Sequence, residues 1–104
     1  MATASPSSRM EIRTPLEVPV ELCSFENVTY EVAFTVDVSA HGARVLTKNP
    51  WESKQRLTVR PVHRKLSSSA RIAYCQSVGG NSFAIGVELP QPTVDWTELQ
   101  KRSV

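Results

Sequence analysis

The chain has 104 residues and a formal net charge of +2, enough for one domain with one core and too mildly basic to announce a nucleic-acid binder. No apolar run reaches the roughly 20 residues of a membrane-spanning helix, and the small polar start, Met1 to Ser8, has no hydrophobic region of the secretory kind. Cys23 and Cys75 fit neither a zinc ribbon nor a CxxC pair, so two buried free thiols and a cytoplasmic setting are expected.

Residues 1–8 read as a disordered lead-in and 9–104 as one domain that includes an arginine-bearing arm. Val18, Val20 and Leu22 alternate with Pro19, Glu21 and Cys23, the period of a half-buried strand. Pro15 and Pro19 lack N–H donors, so that strand should lie at an edge or begin irregularly. A second strand is expected over Thr29 to Val36, with Tyr30, Val32, Phe34 and Val36 on one face. A third covers Ala43 to Thr47, with Val45 pointing inward.

Lys48 to Ser53 carries turn chemistry around Pro50, and Trp51 reads as a lid over one barrel end. Gln55 to Val62 alternates again. His63 to Lys65 with Ser67 to Ser69 reads as a solvated connection. Arg71 to Gln76 and Ser82 to Leu89 form a hairpin around Gly79-Gly80-Asn81. Asp95 to Lys101 is expected to form one short helix, capped by Asp95 with Glu98 three residues on. Six short strands with regular turn signals suit a small closed all-β barrel or a sandwich.

Two segments carry the chemistry. Arg9 and Arg13 stand four apart in the arm before Pro15. The R-x-x-x-R spacing is weak by itself, because Arg56/Arg60 and Arg60/Arg64 repeat it. Those two lie in or after a strand-like run, where residues four apart share one solvated face. Arg9 and Arg13 differ in lying on an arm that can fold over a ligand. A guanidinium fork makes paired bonds to phosphate or to the O6/N7 edge of guanine. The bland alternative is a solvated arm.

The second segment is Asp37-Val38-Ser39-Ala40-His41-Gly42. Asp37 and Ser39 have the same parity and should point the same way. A carboxylate accepts from the N1 and N2 donors of guanine, a hydroxyl bonds beside it, and glycine permits a positive φ or close approach. Its bland alternative is an Asx or Ser turn joining two strands. His41 and His63 lack metal-ligand company. No nucleophile–base–orienter set is present, so catalysis is not expected. The basic residues Arg56, Arg60, Arg64 and Lys65 have no aromatic among them for base stacking, which argues against a single-stranded nucleic-acid module.

Together these residues resemble the PilZ domain family, whose signature is R-x-x-x-R followed by [D/N]-x-S-x-x-G. The flanks Thr14 to Val20 and Phe83 to Leu89 resemble its first and last barrel strands. The resemblance implies a six-stranded antiparallel barrel with a short C-terminal helix, and no cofactor. It implies binding of cyclic di-GMP, a bacterial second messenger, with the arm's ordering read by an effector protein. Arg9 and Arg13 would hold phosphate and a guanine edge. Asp37 and Ser39 would bond the other guanine, Gly42 would leave room for it, and Ser8 and His41 are secondary positions. Some members have lost the motifs and act only as protein–protein adaptors; the intact motifs argue against that alternative here.

Overall fold

A computed structural model describes residues 12–26, 29–91 and 96. Seven strands follow in chain order: β1 (Thr14–Pro15), β2 (Pro19–Ser24), β3 (Tyr30–Ser39), β4 (Gly42–Thr47), β5 (Arg56–Pro61), β6 (Ser68–Ser77) and β7 (Phe83–Glu88). All pairings are antiparallel. The order runs β3-β2-β5-β6-β7-β4, and β4 pairs back to β3, closing a six-stranded barrel. Closure leaves no long open edge. The two-residue β1 adds to β3 beyond the end of β2.

The two prolines explain that break. The strand between β3 and β5 does not lie at an edge; it begins irregularly. Leu16 to Val18 bulges away from the ladder between Pro15 and Pro19, and Thr35 bridges the gap. Its hydroxyl accepts from the Val18 amide at 2.8 Å and donates to the Leu16 carbonyl at 2.5 Å. Two backbone bonds complete the attachment: the Leu16 amide donates to the Val36 carbonyl at 3.2 Å, and the Thr35 amide donates to the Val18 carbonyl at 3.0 Å.

The interior is filled from all six barrel strands, with Val20, Leu22, Val45, Leu57, Ile72 and Ile85 fully buried. Facing residues share a face, so register decides which side of β3 is inside. Ala33 pairs with Val20, and Thr35 pairs with Val45. Both partners point into the core. Tyr30, Val32, Phe34 and Val36 do share one face, and it is the outer one.

Two tryptophans anchor opposite ends of β3. The Trp51 indole donates to Glu31 at 3.2 Å, and the Trp96 indole donates to the Ser39 carbonyl at 2.9 Å. Both rings are buried in the core cluster, so Trp51 does close one end. The eight-residue separation of their partners places them about 26 Å apart at 3.3 Å per residue. Glu31 is itself buried, and also accepts from the Lys48 amide at 2.5 Å and the Asn49 side chain at 3.2 Å.

Other expectations change. β6 begins at Ser68, which is buried, so the serine run is only partly a connection. The cysteines are free as expected, but Cys23 is exposed on the outer face of β2 and Cys75 is half-buried. Arg60 is half-buried and ion-paired with Glu21 across β5 and β2, so it is not simply solvated. Of the expected C-terminal helix, Asp95 to Lys101, only Trp96 lies within the described residues. No helix among the described residues is long and apolar enough to cross a membrane.

Candidate functional site

The site begins with an irregularity in β3. The register shifts between Thr35 and Asp37, so Val36 is the extra residue of a bulge. Bulges re-aim a side chain. Here Thr35 and Val38 stay inside while Val36 and Asp37 both face outward. Asp37 then stands opposite Arg44 of β4.

Residue 13 immediately precedes β1, whose Pro15 pairs with Asp37. The Arg13 guanidinium therefore reaches the Asp37 carboxylate. Its Nε donates to Oδ1 at 2.9 Å, and its terminal nitrogen bonds the same oxygen. Arg44 Nε lies 3.8 Å from the other oxygen, Oδ2. One carboxylate is thus shared by two guanidiniums, leaving a local excess of positive charge. The Asp37 side chain is 18 % exposed and those of Arg13 and Arg44 are 44 % and 47 % exposed. The cluster is open to water, and its ion pairs contribute only about 0–1 kcal/mol each to stability.

Register extends the row. Arg44 pairs with Gly86 of β7, and Gly86 pairs with Tyr74 of β6. A β-carbon at Gly86 would overlap the Tyr74 ring, which lies on the bare backbone of the glycine. The outer face therefore presents a carboxylate, a guanidinium, a glycine and a half-buried phenol ring across four neighbouring strands. Strand spacing makes that row roughly 14 Å wide. Such a surface can hold an anion at its arginines and a flat ring on its aromatic side.

Of the residues expected from sequence, Arg13 and Asp37 are brought together. Ser39 is buried, and its hydroxyl donates to the Gly42 carbonyl at 3.5 Å across the turn. Gly42 does not adopt a positive φ. Its missing side chain is required by β7: a β-carbon would stand 2.5 Å from the Val87 carbonyl oxygen. His41 is exposed in the turn, and its carbonyl accepts from the Leu89 amide at 2.8 Å. Arg9 and Ser8 lie outside the described residues. Arg44 and Tyr74 were missed. Arg44 was legible as the outward position two residues after Gly42; Tyr74 needed the β6–β7 register, which its bulge between Ile72 and Tyr74 conceals.

Comparison with known proteins fits this architecture. The family model for the PilZ domain matches residues 7–101. The chain belongs to the PilZ family. It is therefore a domain of the cyclic di-GMP receptor type. Among solved structures, it is similar to the Bacillus subtilis inhibitor of motility, MotI/DgrA, with a TM-score of 0.60 at 15 % identity. The alignment covers 88 % of this chain and 46 % of that protein, so the chain spans less than half of its length. At that identity the likeness speaks for the fold alone. No curated protein matches the sequence.

Proposed function

We propose that this PilZ domain binds cyclic di-GMP on the outer barrel face around Arg13, Asp37 and Arg44, and passes the signal to an effector protein. The observation that carries the reading is Arg13 seated on Asp37, with Nε 2.9 Å from Oδ1. It supports a single surface made by the arm and the Asp-x-Ser-x-x-Gly turn.

In this reading the ligand replaces the Arg13–Asp37 pair. The guanidinium of Arg13 turns to a phosphate or the guanine O6/N7 edge, and Arg9 joins it. The freed Asp37 carboxylate accepts from guanine N1 and N2. Arg44 neutralises phosphate charge, and Tyr74 offers its ring to a base. Ser39 and Gly42 contribute by shaping the turn that holds Asp37 in place. The exchange is favourable by number: one partly exposed ion pair worth about 0–1 kcal/mol gives way to several charge-assisted bonds to the ligand. Ordering of the arm over the ligand then makes the surface that an effector reads.

Calorimetric titration of the full chain with cyclic di-GMP tests the reading, beside Arg13→Ala. The wild type binds at micromolar ligand, and the variant loses at least about 10-fold, the loss of one charge-assisted pair. No heat for the wild type at tens of micromolar ligand would refute it.

A further inference from the structure

The outer face of β3 carries an apolar stripe that neither the core nor the nucleotide reading uses. Tyr30 is 54 % exposed, Val32 49 %, Phe34 47 % and Val36 44 %, and Leu46 of β4 beside Phe34 is 44 % exposed. Isolated exposed apolar residues are ordinary; five contiguous ones on one sheet face mark a contact surface.

Its shape selects the occupant. Four alternate residues on one strand span about 20 Å, and two strands are about 10 Å wide. The five side chains offer roughly 400 Å² of apolar surface, close to the apolar share of one standard interface. A second copy of this barrel, joined face to face, would bring the same basic Arg44 and Lys48 rim rather than an opposite charge. One α-helix, about 10–12 Å across with 13–14 residues in 20 Å, matches the stripe in both dimensions.

Its borders give the helix a polarity. Along β4 the stripe is flanked by Arg44 and, just past the strand end, by exposed Lys48. Along β2 it is bordered by Glu21, whose carboxylate already holds Arg60. Arg44 shares the Asp37 carboxylate with Arg13, so the net charge on the β4 side is positive through the second guanidinium and Lys48.

We propose that the outer face of β3 and β4 docks an amphipathic helix of a partner protein, apolar on one side and acidic along the flank that lies over Arg44 and Lys48. This is helix-on-sheet recognition by apolar anchors, with rim charges setting orientation.

The probe is a fluorescein-labelled 18-residue helical peptide with leucines at positions of one face and glutamates along one flank. A second peptide carries lysines in place of the glutamates. Anisotropy is read against the full chain without nucleotide, so failure here is distinct from failure of cyclic di-GMP binding. The glutamate peptide binds and the lysine peptide binds at least about 10-fold more weakly. Phe34→Asp and Leu46→Asp each weaken the glutamate peptide at least about 10-fold, while far-UV circular dichroism stays that of the wild type. Lys48→Glu narrows or reverses the preference between peptides. The proposal is overturned if the glutamate peptide does not bind by about 1 mM, or if neither aspartate variant that keeps its fold weakens it. It is also overturned if sedimentation equilibrium shows a wild-type dimer that Phe34→Asp dissolves, or if anionic vesicles bind through this face instead.

Discussion

The glycine of the signature turn offers a sharp test of what that turn is for. Replacing Gly42 by alanine puts a β-carbon 2.5 Å from the Val87 carbonyl oxygen, about 0.9 Å inside the 3.4 Å at which ordinary contact begins. The neighbour is backbone in a paired ladder, where Gly42 faces Glu88, so it has little freedom to move aside. Overpacking of this kind costs about 1–3 kcal/mol. Alanine returns about 0.4–1 kcal/mol by restricting the unfolded chain, leaving a net loss of about 1–2 kcal/mol. For a domain of this size that lowers Tm by about 5–15 °C. The assay is thermal unfolding of Gly42→Ala by calorimetry with no ligand present. Gly86→Ala is the comparison: its neighbour is the Tyr74 ring, a side chain that can swing away, so its loss is under about 1 kcal/mol. A Gly42→Ala protein that melts within about 2 °C of the wild type would refute the packing argument and return the glycine to the ligand.

Glu31→Ala removes the acceptor for three donors at once. Lys48 and Asn49 are exposed and rehydrate, but the buried Trp51 indole does not; the urea midpoint should report a loss of about 2–4 kcal/mol, and a loss below about 0.5 kcal/mol contradicts the anchoring role. Trp96→Phe keeps an aromatic ring and removes the bond to the Ser39 carbonyl, for a cost of about 1 kcal/mol in chemical unfolding; an unchanged midpoint would show the bond to be idle. Tyr74→Ala should weaken cyclic di-GMP about 10-fold by loss of base stacking, read by calorimetry; unchanged affinity removes Tyr74 from the site. Arg13→Ala, by contrast, should change stability by less than about 1 kcal/mol, because its pair with Asp37 is partly exposed.

The six barrel strands were readable because their buried residues alternate, as in Val20 and Leu22 or Ile85 and Val87. Which face of β3 is inside was not readable from β3 alone. Its larger apolar residues lie outside, and its inner face carries Glu31, Ala33 and Thr35. Hydrophobic alternation gives two faces, and only pairing with Val20 and Val45 chooses between them. The same limit hid the bulge at Val36, which a parity argument treats as an ordinary residue. Parity therefore pointed Asp37 and Ser39 the same way, whereas Asp37 faces outward and Ser39 is buried against the turn. The proximity of Arg13 to Asp37 follows from a two-residue strand too short for any periodicity to reveal. The cysteines were misjudged because thiol burial was inferred from strand membership, while Cys23 takes the outward parity of β2.

The account rests on one surface shared by the arm and the turn. An NMR titration of the isotope-labelled full chain with cyclic di-GMP reads that surface directly. The account predicts that amide shifts concentrate at Arg13, Asp37 to Gly42, Arg44 and Tyr74, and that Tyr30 to Phe34 stay still. Shifts confined elsewhere, for instance to the cleft lined by Ser67, Ser68, Ser69, Pro90 and Gln91, with Arg13 and Asp37 unmoved at saturation, would contradict it.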